Sequence, residues 1–123
     1  MAHFILEYST NLQPAELRLD TLFEALHAAA VGTGIFPAAG IRSRAVACDS
    51  YRIGDGAPRN AFAHLTVKVG PGRTPDVLQQ AATVLNELFT GHFDGVYAAR
   101  GLALSFELLE LSALRFNKNN LRT

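Results

Sequence analysis

The residues of this 123-residue chain whose types and spacing could do chemistry are chiefly arginines. Arg73 follows Gly70-Pro71-Gly72 at the end of a strand-like run and stands one residue ahead of a helix-start signal, Thr74-Pro75-Asp76. Free N–H groups at a helix start already favour an anion, so an arginine placed there makes a carboxylate clamp. Arg42 enters a second strand-like run, and its planar guanidinium offers another fork to a carboxylate. Arg44, two residues on, points the same way, so the run leaves the choice between Arg42 and Arg44 open. A surface or intersubunit salt bridge is the bland alternative for each. The remaining group is the chain's own α-amine. The chain begins at once with the strand-like Ala2-His3-Phe4-Ile5-Leu6-Glu7-Tyr8, and a central strand would hold that amine at the end of a sheet. An α-amine titrates at about 7.7 to 8.0, so a fixed one can serve as a base near neutrality without any side chain.

Other candidates carry less. His3, His27, His64 and His92 fall on different elements without ligand spacing, so no metal is expected. Cys48 has no nucleophile's partner nearby and reads as a half-buried small residue. Gly54-Asp55-Gly56 and Gly70-Pro71-Gly72 lack the third glycine of a dinucleotide fingerprint, and the chain is too short for that fold.

The elements that must position the arginines follow from periodicity. In the first run Phe4, Leu6 and Tyr8 share one face, with Ile5 and Glu7 on the other. After Ser9-Thr10-Asn11, Pro14 and Glu16 suit a first helical turn, and Leu19, Leu22, Phe23, Leu26 and Ala30 continue at helical spacing to about Ala30, where Gly32, Gly34 and Pro37 stop the helix. Residues 41 to 48 form a strand with Arg42, Arg44, Val46 and Cys48 on one face. The turn Gly54-Asp55-Gly56-Ala57-Pro58 is the seam between two halves, about 1 to 57 and 58 to 123, of a single domain. In the second half, residues 62 to 69 alternate with Ala63, Leu65, Val67 and Val69 inward; a helix begins at Thr74-Pro75 and ends between Gly91 and Gly101; and residues 102 to 111 form a last strand. The expected architecture is βαβ twice over, an α/β (α+β) fold with both helices on one face of a four-stranded sheet and the other, apolar, face bare.

Formal net charge is zero, from 11 Lys+Arg against 11 Asp+Glu, and no basic run appears, so neither nucleic acid nor an anionic membrane is an expected partner. Hydrophobic residues reach 49% while charged ones are only 18%, which points to burial beyond one monomer's core and hence to a homo-oligomer. The single cysteine excludes an intramolecular disulfide, and no charged leader or long apolar span precedes the first strand, so the expected location is the cytoplasm.

Several segments carry a family resemblance: Met1-Ala2-His3-Phe4-Ile5-Leu6-Glu7, Thr33-Gly34-Ile35-Phe36-Pro37-Ala38-Ala39-Gly40-Ile41-Arg42-Ser43-Arg44, Gly72-Arg73, Leu102-Ala103-Leu104-Ser105-Phe106-Glu107 and Phe116-Asn117-Lys118-Asn119-Asn120. Together they resemble 5-carboxymethyl-2-hydroxymuconate isomerase of the tautomerase superfamily. The resemblance implies a duplicated βαβ homotrimer with no metal or organic cofactor, acting in bacterial breakdown of homoprotocatechuate. It also implies a small carboxylate substrate, a base supplied by an N-terminal proline after loss of the initiator methionine, and arginines that hold carboxylates. By position, Arg73 and Arg42 match those arginines, Arg44 is a less certain companion, and Phe116 is a candidate wall of the pocket. The proline is replaced by Ala2, a primary amine that can act as a base only if Met1 is removed. Two functions therefore stand side by side: an isomerase moving a proton on an unsaturated hydroxy di- or tricarboxylic acid, and a catalytically silent trimer that binds a small carboxylate or serves in assembly.

Overall fold

The computed structural model describes residues 1–122. Four strands, β1 (Ala2–Ser9), β2 (Ile41–Cys48), β3 (Ala61–Val69) and β4 (Leu102–Glu110), form one sheet in the order β2-β1-β3-β4. β1 runs parallel to β2, β3 runs parallel to β4, and the central pair β1–β3 is antiparallel. Each parallel pair is joined through a long helix, α2 (Leu19–Gly32) in the first half and α3 (Pro75–His92) in the second, as the repeated pattern predicts.

The core lies between the sheet and these helices. Phe4, Leu6, Leu65 and Val67 alternate inward from the two central strands and are fully buried, and they meet Leu22 and Leu26 of α2 and Leu85 and Phe89 of α3. At roughly 25 cal/mol per Å² of apolar surface removed from water, side chains of this size contribute about 1.5 to 3 kcal/mol each, which fixes strand register because a one-residue slip would turn the whole set outward.

One boundary differs from the sequence expectation, the start of the first long helix, whereas the end of α3 falls within the expected range. The helix expected from Pro14 onward is broken: α1 (Pro14–Leu17) ends at Arg18, which takes φ 44° in the left-handed region, and α2 starts at Leu19. The joint is pinned from outside its own helix. Arg18 Nη2 donates to the His92 carbonyl, and His92 Nε2 contacts the Leu17 carbonyl at 2.7 Å, so the end of α3 holds the break in place. Such tertiary contacts offset a backbone cost of the order of 1 kcal/mol that local periodicity cannot register. Downstream, α3 stops at His92 because Phe93 turns fully into the core against Phe89, and a separate short helix, α4 (Asp94–Ala99), precedes β4.

The uncovered sheet face is mixed rather than apolar. Register places Arg42, His3, Lys68 and Leu109 in one row across it, Arg44, Ile5, Thr66 and Glu107 in the next, then Val46, Glu7, His64 and Ser105. A sheet covered on one side alternates apolar inward with polar outward, and this face follows that rule, with Val46 and Leu109 as its half-exposed apolar members. Exposed apolar surface is greatest after β4, where Leu114, Phe116 and Leu121 are 82%, 93% and 53% exposed.

Candidate active site

The end of the sheet at which β1 begins gathers the groups singled out above. Ala2 stands opposite Ile41 on β2 and Val69 on β3, so the chain start lies between the beginning of one neighbour and the end of the other. Ala2 is 1% exposed and its side chain joins the core. Met1 passes close over Gly40, where an added Cβ would sit 3.2 Å from the Met1 nitrogen. A glycine at that point leaves room for the terminus to run along β2, and loss of Met1 would open the same space above the Ala2 nitrogen.

Cations surround this end. Arg42 and Lys68 flank His3 in one row, and Arg44 Nη1 donates to His3 Nδ1 at 3.1 Å, which fixes that nitrogen as the acceptor of a neutral ring. The pKa of His3 is lowered by partial burial first, then by Arg44, Arg42, Lys68 and the terminal ammonium. Among the described residues the ion pairs to carboxylates are Arg100–Glu16 and His64–Glu107, so Arg42, Arg44, Lys68 and Arg73 have no carboxylate oxygen within 4.0 Å. This end of the sheet also carries Glu110, in one row with Ala2 and Val69, and Asp76 at the start of α3, but neither carboxylate lies within 4.0 Å of these cations, which remain available to an anion.

The arginines differ in what they are free to do. Arg73 is half-buried and donates through Nη1 to the Gly70 carbonyl and through Nη2 to the Ile35 carbonyl, both at 3.1 Å, so it ties the loop after α2 to the turn after β3. Two of its five N–H groups are thereby used and three remain. Thr74 beside it caps α3 by accepting from the Val77 N–H at 3.3 Å, as its position before Pro75 predicts. Arg42 Nη2 reaches Asn117 Oδ1 at only 3.4 Å, and Arg42 Nη1 is buried with no hydrogen-bond partner among the described residues. An orphaned guanidinium nitrogen away from water is costly, and a carboxylate oxygen is the acceptor that best suits it. Arg44 is exposed and engaged with His3.

Sequence reasoning did not single out His3, Lys68, Arg115 and Asn117 for this place. The strand alternation, applied across β1 and β3 together, would have found the first two. The others had no signal, because after β4 the chain crosses the end of the sheet: Leu111 N–H donates to the Val69 carbonyl at 2.7 Å, Arg115 reaches Gly70, and Asn117 arrives at Arg42 on the far edge. Phe116 is carried along beside Arg42's partner Asn117 but is almost fully exposed, so within one chain it walls nothing. The site end is open in a lone chain. Surface cavities include one of about 330 Å³ at the opposite end between Thr10, Tyr51 and Asn60, one of about 410 Å³ beside Thr90, Tyr97 and Leu104, and one of about 310 Å³ beside Ile35 and Val77, close to Arg73.

One other constellation has the look of a triad: His64 Nδ1 lies 2.6 Å from Ser105 Oγ and Nε2 lies 3.2 Å from Glu107 Oε1. These side chains stand in mid-sheet, where the ladder uses the neighbouring backbone N–H groups, so no donors are left for an oxyanion.

A duplicated βαβ sheet whose chemical centre is the start of a strand, ringed by cations, has the fold of the tautomerase superfamily. Solved structures share it: a 5-carboxymethyl-2-hydroxymuconate isomerase from Deinococcus radiodurans R1 is 37% identical with a TM-score of 0.89, covering 97% of this chain and 90% of that one. A fused 4-OT wild-type symmetric trimer, 20% identical with a TM-score of 0.58 over 88% of this chain and 85% of that one, shares the fold alone. The model of the 5-carboxymethyl-2-hydroxymuconate isomerase family matches residues 2–123, and the 5-carboxymethyl-2-hydroxymuconate Delta-isomerase of Escherichia coli is 44% identical over 121 residues, 98% of this chain and 95% of that protein. The chain belongs to the 5-carboxymethyl-2-hydroxymuconate isomerase family.

Proposed function

We propose that this chain is an isomerase that moves a proton on an unsaturated hydroxy di- or tricarboxylic acid such as 5-carboxymethyl-2-hydroxymuconate, in the degradation of homoprotocatechuate. The observation that carries the reading is the set of cations that have no carboxylate partner among the described residues around the start of β1, with one Arg42 nitrogen buried and unpaired there. In this reading the Ala2 amine, exposed by loss of Met1, takes the proton from the dienol hydroxyl. The oxygen's electrons close a C=O bond, the conjugated double bonds shift, and the amine returns the proton to a carbon of the chain. Arg73 holds a carboxylate through its remaining N–H groups and stabilises the developing oxyanion, and Arg42 takes a second carboxylate. The buried, unpaired nitrogen favours Arg42 over Arg44 for that role. No step calls for a metal or an organic cofactor.

The active assembly in this reading is a homotrimer in the cytoplasm. The open site end, the exposed Leu114, Phe116 and Leu121 after β4, and the uncovered sheet face all supply surface for neighbouring subunits, and Phe116 becomes a pocket wall only within such an assembly. No helix among the described residues is long and apolar enough to cross a membrane.

The test is the ultraviolet ketonisation rate of 5-carboxymethyl-2-hydroxymuconate on protein whose intact mass shows where the chain begins. A saturable rate above buffer from protein starting at Ala2 is the expected result. No rate from Ala2-starting trimers would instead favour a catalytically silent, carboxylate-binding assembly, the reading motivated by the missing proline and by Met1 lying over Gly40.

A further inference from the structure

The strap after β4 carries a cation that the arginine pair Arg42 and Arg73 leaves unexplained. Arg115 is exposed, and its Nη1 donates to the Ser112 carbonyl at 3.2 Å within the strap itself. Its Nη2 reaches back over the buried Gly70, lying 3.3 Å from the point where a Cβ on that glycine would sit. Arg73 Nη1 lies 3.5 Å from the same point. Two guanidinium groups therefore converge over one glycine, with no carboxylate oxygen within 4.0 Å of either among the described residues. Like charges held together repel, and an anion placed between them relieves that repulsion. Donors flank the space directly over Gly70 on both sides, close enough that a Cβ there would already be in tight contact with them. Arg42, tied through Asn117 to the same strap, stands on the other side of the chain start.

From this geometry we infer that Arg115 is a specificity-determining residue, forming with Arg73 a two-arginine fork for the carboxylate that a tricarboxylate dienol carries and a dicarboxylate dienol lacks. The inference rests on the proposed isomerase function and names the substrate class of that site. A 2-hydroxymuconate has two carboxylates and its 5-carboxymethyl derivative has three. Arg42 on β2 and Arg73 after β3 meet two of them, and Arg115 on the strap adds the donors that, together with a remaining N–H of Arg73, hold the third. The strap sets the spacing, because a single residue, Phe116, separates Arg115 from the asparagine that touches Arg42.

The experiment compares the parent, Arg115→Ala and Arg115→Lys for ketonisation of 5-carboxymethyl-2-hydroxymuconate and of 2-hydroxymuconate, with thermal melts of each. Removing a hydrogen bond to a charged group should lower the tricarboxylate-to-dicarboxylate ratio of kcat/KM by about tenfold or more in Arg115→Ala, through KM rather than kcat. Lysine should restore part of it. An unchanged ratio, whether both rates fall together or neither falls, overturns the inference. Calorimetric binding of propane-1,2,3-tricarboxylate and glutarate separates this from the function itself. If the parent ketonises neither dienol, the isomerase reading fails, while Arg115 is supported by a selective loss of tricarboxylate binding in Arg115→Ala. Equal loss of both anions, or a parent that prefers neither, overturns it.

Discussion

Arg42 is the residue at which stability and function should move apart. Replacing it by methionine keeps most of the aliphatic stem and removes the guanidinium. In the free protein this deletes a buried nitrogen with no partner and a 3.4 Å contact to Asn117 at the outer limit of a hydrogen bond. Relieving the orphan is worth about 1 to 3 kcal/mol and losing the long contact costs about 1 kcal/mol or less, so the melting temperature without ligand should hold or rise, by no more than about 12 °C. Binding should respond differently. A hydrogen bond to a charged group contributes about 1.5 to 3 kcal/mol, so a carboxylate ligand should bind roughly 10- to 150-fold more weakly. At a ligand concentration about 100 times the parent's Kd, the parent gains about 2.7 kcal/mol of stability, whereas Arg42→Met gains about 0.3 to 1.4 kcal/mol. Thermal melts with and without a dicarboxylate, at fixed protein concentration, measure both quantities, and ketonisation kinetics on the same samples give the matching loss in kcat/KM. A variant destabilised by more than about 2 kcal/mol without ligand, yet stabilised by ligand as much as the parent, would show that Arg42 is structural and refute the reasoning.

Other outcomes follow from the same geometry. Arg73→Ala should lower both binding and rate, but it also strips the Gly70 and Ile35 carbonyls of their donor, so a stability loss of about 1 to 3 kcal/mol should accompany the kinetic one; a variant as active as the parent removes Arg73 from the mechanism. Ala2→Pro with Met1 removed should raise the ketonisation rate by orders of magnitude, since a secondary amine with a fixed lone pair takes the base's place, and no gain would mean that the rest of the site no longer matches it. His27 and His92 have pKa values lowered by burial, and His3 by partial burial and neighbouring cations. Because the folded values lie below the ordinary value of about 6.5, the unfolded chain binds more protons near that pH. Stability should therefore be full above about pH 6.5 and fall as pH drops through the lowered values. Glu16, held low first by the Gln13 N–H and then by Arg100, should add a further loss below about pH 4.5; a melting temperature that rises as pH drops from 7 to 5 would contradict the histidine statement, and one that rises as pH drops below about 4.5 would contradict the Glu16 statement. Leu85→Ala, truncating a fully buried α3 side chain, should cost about 2 to 5 kcal/mol in denaturant unfolding with little effect on the site's charge.

What the sequence determined by itself was the set of elements and the faces they present. Period-two alternation in β1 and β3 put Phe4 with Leu6 and Leu65 with Val67 on shared faces, which the fold buries, and Thr74-Pro75 marked the start of α3 correctly, because these signals are local: a side chain's face depends on its neighbours two residues away, and a cap on the three residues after it. Arg73 and Arg42 were legible for the same reason, each standing at an element's end. The family resemblance, carried by contiguous segments, was equally visible.

Tertiary structure decided which of those ends meet. Only the strand order places the start of β1 between the start of β2 and the end of β3, and so brings His3, Arg42 and Lys68 into one row. Only the path of the strap brings Arg115 over Gly70 and Asn117 to Arg42, contacts spanning 45 and 75 residues that no local period encodes. The break at Arg18 belongs to the same class, since the strained backbone there is held by His92 from another helix. The state of each arginine, clasped on carbonyls for Arg73 and with Nη1 unpaired among the described residues for Arg42, likewise depends on partners distant in the chain, because burial and hydrogen-bond satisfaction are properties of packed neighbours and not of residue type.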